Sequence, residues 1–377
     1  MTIKNNASSV SSRKPPIGLY LHIPFCRSKC PYCDFFSRRG NDEQYDEYTI
    51  LLCRSIETYG RRLARTADTV YFGGGTPGIL GAQRLCRILS QAVQSFSVKD
   101  AEITLELNPE KKDTDFEALR KGGFNRVSIG LQSSDDNELR LLGRLHDSKA
   151  AEACIRKAQS AGFDNISLDL MIATPAQTTD SLKRSIDFCA EHGAAHISAY
   201  ILKIEPGTVY YKKKDSLLLP DEDEQADMYL FAVETLKEYG YAQYEISNFA
   251  RPGYESRHNL KYWHDEEYLG LGPSAHSFID GKRRCFDRSF ESFAQDRYTD
   301  DGEGGSIEEY IMLGLRLNEG ISYERFAQRF GMSIPDEYIS RAVRFAGMGY
   351  TEVSSEAIKL TEKGFLLSNA IIGEILA

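Results

Sequence analysis

Between residues 17 and 204, six short apolar, β-rich runs alternate with longer segments of helical period: "IGLYLHI" (17–23), "TVYFGGG" (69–75), "EITLELNP" (102–109), "RVSIGLQ" (126–132), "NISLDLMI" (165–172) and "HISAYILKI" (196–204). A strand that is apolar nearly throughout must be covered on both faces. Helices between such strands supply the cover, so the pattern predicts a parallel sheet. The helices are expected over 42–63, 78–96, 147–161 and 178–192. Six units of this kind form an α/β doubly wound sheet or an incomplete (β/α)6 barrel. The polar residues favour the barrel: Gly73 to Gly75, Glu106, Gln132, Asp169 and Lys203 fall at or just past the C-terminal ends of their strands, where barrel enzymes gather their chemistry.

After the sixth run comes "IEPGTVYYKKKDSLLLPDEDE", turn-rich and dense in charge, which predicts a boundary. The barrel domain is placed at 16–215 and a smaller second domain at 216–377, opening on a helix over 222–239. Near the end, 306–317, 322–330 and 334–346 have helical period, "GYTEVSSEAIKLT" alternates like a hairpin, and "EKGFLLSNAIIGEIL" is amphipathic. This α+β pattern over 306–377 resembles a winged helix. A net charge of −9 with no basic face argues against a nucleic-acid partner, because binding a phosphate backbone needs a field of opposite sign. Residues 1–15 are polar and expected to be flexible. They hold no apolar signal region, and no later run approaches the roughly 18 apolar residues of a membrane span, which predicts a cytoplasmic protein. Thiols stay reduced in that compartment, so clustered cysteines read as metal or redox ligands.

Three of the eight cysteines, Cys26, Cys30 and Cys33, stand at C-x3-C-x2-C directly after the first strand. A structural zinc site would close its tetrahedron with a fourth ligand, for which only His22 is near in sequence. A redox C-x-x-C reading of Cys30 and Cys33 leaves Cys26 idle. A [4Fe–4S] cluster normally takes four cysteines, and three leave one iron open to an exogenous ligand. An open iron can chelate the amino and carboxylate groups of a methionine moiety.

C-x3-C-x2-C after a first strand resembles the radical S-adenosylmethionine (SAM) superfamily, whose members bind SAM at the open iron and can cleave it to a 5′-deoxyadenosyl radical. "VYFGGGTPGIL", one strand later, lacks the Lys-Ser/Thr pair of a phosphate loop and resembles that superfamily's glycine motif. The likeness implies a SAM cradle. Glu106 would accept from the ammonium, Asp169 or Gln132 from the ribose hydroxyls, and Arg144 would pair with the carboxylate, together with Tyr20, Tyr32, Gly74, Gly75 and Thr76.

"HIPFCRSKCPYCDF" is similar to the HemN/HemW group. Its oxidase branch, which decarboxylates porphyrinogen propionates, carries a further cysteine two residues after the third, where this chain has Phe35. The short segment before the first strand also departs from the oxidases, which implies the haem-carrier branch. "RHNLKYW" matches that branch's HNxxYW signature and implies His258 as an axial haem ligand, with His264 and His276 as neighbours that could substitute. The resemblance further implies haem as ligand, haem-accepting respiratory proteins as partners, including membrane-associated ones, and a homodimer as a compatible state. The second reading is a radical SAM enzyme acting on a tetrapyrrole, by porphyrinogen decarboxylation or haem ring opening. Cys53, Cys86, Cys154, Cys189 and Cys285 are expected to be packing residues, since free cysteine behaves as a small hydrophobe.

Overall fold

A computed structural model describes residues 14–110 and 114–377; most of the expected flexible segment lies outside the described residues. The six apolar runs are strands β1 (Ile17–Ile23), β2 (Ala67–Gly74), β3 (Glu102–Leu107), β4 (Arg126–Gln132), β5 (Asn165–Ile172) and β6 (His196–Ile201), each parallel to the next. Burial on both faces explains their composition: every residue of β1 from Ile17 to Ile23 is buried except Tyr20, which is half-buried. The covering helices run Asp42–Leu63, Ala82–Phe96, Ser148–Ser160 and Thr179–Glu191. Local chemistry sets their ends. Asn41 and Thr178 each close a capping box, and Ala64 stops the first helix in a left-handed conformation. The interior carries polar rows as well as apolar ones, for Tyr20, Tyr71, Thr104 and Arg126 are register partners across β1 to β4.

The second region adds strands to both edges of the barrel sheet. Strands β7 (Ala242–Glu245) and β8 (Asn248–Ala250) join the barrel sheet antiparallel beyond β6, while β9 (Tyr268–Leu271) pairs parallel with β1 at the other edge. From β9 the sheet continues through β10 (His276–Ile279), β11 (Lys282–Phe286) and β12 (Tyr298–Glu303), giving one twelve-stranded sheet. Strands β7 to β12, all past residue 215, thus belong to the same sheet as β1 to β6. An open barrel has two edges with unpaired backbone groups, and the later strands cover both. A separate sheet of β13 (Ile321–Ser322), β14 (Thr351–Val353) and β15 (Ala357–Leu360) stands with helices Ile307–Gly314, Tyr323–Phe330 and Asp336–Ala346, in the winged-helix order that the sequence predicts.

Helix Arg257–Trp263 lies across the N-terminal end of the barrel. The amides of Arg257 and His258 donate to the carboxylate of Glu102, the first residue of β3, at 3.0 Å each. A carboxylate at a helix N-terminus satisfies otherwise unpaired donors. Among the described residues no helix is long and apolar enough to cross a membrane.

Candidate functional site: a cysteine loop over the open barrel

The cysteines leave β1 on a loop that folds back on itself. The Cys26 amide donates to the Arg38 carbonyl at 3.0 Å, and the amides of Gly75 and Thr76 donate to the carbonyls of Ile23 and Phe25 at 2.9 and 2.7 Å. This contact explains the glycines more directly than a ligand does. A Cβ on Gly75 would lie 2.5 Å from the Phe25 carbonyl oxygen, and Gly74 sits at φ +107° against the His22 ring. The glycine run thus lets β2 end flush against the cysteine loop.

Cys26, Cys30 and Cys33 are unpaired, partly exposed thiols on the wall of a single cavity of about 390 Å3. Tyr32, Gly74, Gly75, Thr76, Glu106, Gln132, Arg144 and Asp169 line the same cavity, whose size falls in the range of small-molecule sites. Tyr20 does not line it. Its ring stacks beneath on Tyr71 and its hydroxyl meets His22 Nδ1 at 3.0 Å. Gln132 enters the cavity through a register break in β4 and holds φ +71°, an uncommon conformation for a residue other than glycine and typical of functional sites.

Arg144 bridges the loop and the strand ends. Its Nη1 donates to Cys30 Sγ at 3.5 Å and Tyr32 Oη at 3.4 Å, while its Nη2 donates to Asn108 Oδ1 at 2.6 Å and the Gly130 carbonyl at 2.9 Å. Asn108 Nδ2 in turn donates to Thr76 Oγ1 at 3.0 Å, and Thr76 Oγ1 lies 3.5 Å from Cys26 Sγ. One chain of hydrogen bonds thus joins two of the three cysteines. Sequence reading missed Asn108, although it ends the quoted run "EITLELNP" on the same face as Glu106. Burial raises the Cys33 thiol, with the Cys30 and Cys26 sulfurs adding to the effect.

Opposite the thiols, Glu106 accepts from Tyr71 Oη at 2.8 Å and the Gly74 amide at 3.2 Å. Burial pushes its carboxyl up to about 7, and nearby Asp169 adds to the rise. Asp169, which accepts from Ser128 Oγ at 3.0 Å, is raised by burial as well. Two enclosed carboxyls facing open space suit a cationic, hydroxyl-bearing ligand. The buried Arg126 Nε has no hydrogen-bond partner, and Arg126 and Asn259 also line the cavity, so its polar lining extends to the end that helix Arg257–Trp263 plugs.

Two histidines are already committed. His22 spends Nδ1 on Tyr20 and Nε2 on the Phe36 carbonyl at 3.2 Å, and burial pulls it down to about 4; it is no fourth zinc ligand. His258 is 1% exposed, with Nδ1 2.7 Å from Thr69 Oγ1 and Nε2 2.8 Å from Tyr262 Oη. Its ring stacks on Tyr71 at 5.1 Å, and burial lowers it to about 3. In this conformation neither nitrogen is open to haem iron.

The donor set fits the groups that the resemblance implies. Among the described residues, the one group of three potential ligands whose atoms all lie within 4.8 Å of one another is His276, Cys285 and Asp301, so the loop cysteines are too spread for a single zinc ion. Three thiols spread over one wall suit a polynuclear cluster, with Glu106 and Asp169 across the cavity for the ammonium and hydroxyls of SAM. A test follows from the Glu106 carboxyl. An ammonium binds the ionised form, so SAM affinity is expected to fall roughly tenfold per unit as pH drops below about 7. Calorimetric titration between pH 6 and 8 measures it, and Glu106→Gln should both weaken binding and flatten the profile. A parent profile already flat would show that Glu106 does not hold the ammonium.

Residues 20–189 match the Radical SAM superfamily, and residues 306–367 match the HemN C-terminal domain. The heme chaperone HemW of Bacillus subtilis is 36% identical, over 95% of this chain and 98% of its own length. HemW of Mycobacterium tuberculosis (strain H37Rv) is 34% identical over 96% and 95%, and that of Escherichia coli 32% over 96% and 99%. The solved structure of the E. coli coproporphyrinogen III oxidase HemN, a radical SAM enzyme, covers 96% of this chain and 90% of its own with a TM-score of 0.83 at 24% identity, which shows a common fold. Family membership of this kind implies a [4Fe–4S] cluster and SAM, for which the cysteine loop and the cavity beneath it supply the donors. With identity above 30% along almost the whole length of several relatives, the chain belongs to the HemW family of radical SAM proteins.

Proposed function

We propose that this protein is a haem chaperone: it binds haem, carries a SAM-ligated [4Fe–4S] cluster on Cys26, Cys30 and Cys33, and passes haem to acceptor proteins such as respiratory cytochromes. The observation that carries this is the near full-length similarity to heme chaperones, joined to Phe35 where the oxidases place a further cysteine. When bound, the cluster and SAM supply one-electron reductive chemistry. The chain's own part is to hold them: Arg144 and Thr76 donate toward the cluster sulfurs, and Glu106 and Asp169 hold the ammonium and ribose. A homodimer through the cluster face belongs to the same reading.

Exposed apolar and basic side chains near the cysteine loop support a flat apolar ligand with carboxylates. Phe35 is 68% exposed, and Leu141, Leu145, Val209 and Tyr211 are also exposed. Tyr210 gathers these segments about the cysteine loop, its amide donating to the Pro31 carbonyl at 2.9 Å and its hydroxyl to the Leu141 carbonyl at 2.7 Å. Lys212, Lys213 and Lys214 follow directly and are exposed, which offers cations for propionates to pair with. Haem-loaded protein mixed with an apo-cytochrome is expected to lose its Soret absorbance to the acceptor. Failure to retain haem through gel filtration would overturn the carrier reading.

For the enzymatic alternative, incubation of reconstituted protein with SAM, a reductant and coproporphyrinogen is expected to yield no decarboxylated product. Restoring Cys at position 35 alone is expected to leave this unchanged. Protoporphyrinogen in the parent reaction would reverse the order of the two readings.

A further inference from the structure

The expectation that Cys285 is a packing residue fails for a reason that points to chemistry. In the β10–β11 register Cys285 stands directly opposite His276, with Sγ 3.3 Å from Nε2. On the next strand the register slips: Arg283 pairs with Gly302 and Arg284 with Asp300, leaving Asp301 as an extra residue in β12. A bulge of this kind re-aims a side chain. The Asp301 carboxylate lies 3.5 Å from His276 Nδ1, and one ligand atom from each of the three residues falls within 4.8 Å of the others.

We propose that His276, Cys285 and Asp301 form a binding site for a thiophilic divalent cation of the Zn2+ class, with a fourth position open to water or an exogenous donor. Bonds of about 2.0 to 2.3 Å at tetrahedral angles put neighbouring ligand atoms about 3.5 Å apart, so donors that lie within 4.8 Å of one another need only a modest side-chain adjustment, with His276 turning one ring nitrogen to the ion. Imidazole, thiolate and carboxylate together suit a borderline-soft ion. Haem iron fits less well, because it takes one protein ligand on each face, and here three donors of mixed charge lie within 4.8 Å of one another. Binding exchanges the thiol proton for the metal, so one proton leaves to solvent and nothing is oxidised or reduced. The side chains of His276 and Asp301 are 60% and 36% exposed, so an ion has a path in.

The site neighbours the cluster loop without sharing its ligands. Just past Cys285, Arg288 reaches Asp34 in the cysteine loop at 3.8 Å, and Phe290 packs on Phe25 and Phe36. The test uses cluster-loaded protein, stripped of loosely held metal and titrated with Co2+ as probe. The parent is expected to retain one Co2+ with a thiolate-to-cobalt charge-transfer band and tetrahedral ligand-field absorption. Cys285→Ala and His276→Ala should each lose that band and at least about tenfold in affinity, with iron, sulfide and melting temperature unchanged. Asp301→Asn should weaken binding while keeping the charge-transfer band. The same cobalt uptake and spectrum in Cys285→Ala overturns the proposal. So does a His276→Ala protein that keeps cobalt but loses the haem Soret band, since the residue would then serve haem.

Discussion

Cys26→Ser, Cys30→Ser and Cys33→Ser proteins, each reconstituted anaerobically with iron and sulfide, are expected to hold less than about a tenth of the parent's cluster iron. Serine keeps the size of the side chain and removes its softness: a hard alkoxide is a poor ligand for cluster iron and is mostly protonated at neutral pH. With three protein ligands and no fourth, the loss of one leaves two irons without a protein anchor. Cys33 is the most informative position. Its thiol is raised by burial and by the two other sulfurs, so an ion that binds there must replace an unfavourable cluster of thiols by a favourable one. Arg144→Ala is the companion variant. It removes the donors to Cys30 and Tyr32 but no ligand, so iron content should persist while SAM affinity falls. Full iron and sulfide in Cys33→Ser would remove the cluster from this loop.

The barrel is legible in the sequence because burial on both faces forces apolar runs, and six such runs can be counted. The helix over 42–63 is equally plain, since Asn41 and the first-turn acids mark its start. The edge strands β7 to β12 are not legible. They are short, and residues such as Lys282, Thr299 and Asp300 are exposed, so alternation with polar side chains hides them. Their place is set by pairing partners far away in the chain, as when Tyr268 to Leu271 dock beside β1. In the site, residues at strand ends were found by position, because a parallel barrel sends those ends to one face. Asn108 was missed since an amide carries no spacing signal, and Asn259 stood out only through the HNxxYW motif; the fold alone brings "LELNP" and "RHNLKYW" to the same cavity. His258 shows what the motif alone does not carry. The HNxxYW resemblance implies a haem ligand, while the fold sets the ring against Tyr71 with Thr69 and Tyr262 on its two nitrogens.

His258→Ala is expected to destabilise the protein by about 2–4 kcal/mol, because it empties an enclosed site and strips Thr69 Oγ1 and Tyr262 Oη of the ring that each one bonds. Thermal denaturation of the cluster-loaded protein measures the loss, and cluster iron should stay at the parent level because the cysteine loop lies at the other end of the barrel. The effect depends on pH in a defined direction. The ring's folded value, about 3, lies below its unfolded value near 6.5, so the unfolded chain binds the extra proton between those limits. His258 therefore stabilises the fold above about 6.5 and loses that contribution as pH falls toward 3, and the gap between parent and His258→Ala should narrow over the same window. Haem ligation through this ring requires helix Arg257–Trp263 to lift from β2 and release Nε2 from Tyr262. Tyr262→Phe lowers that cost by about one hydrogen bond, ~1 kcal/mol, and is expected to tighten haem binding several-fold if His258 is the ligand. Unchanged haem affinity and Soret spectrum in both Tyr262→Phe and a folded His258→Ala would assign His258 to the plug alone, where its ring supports Tyr71 and, through it, the carboxylate of Glu106.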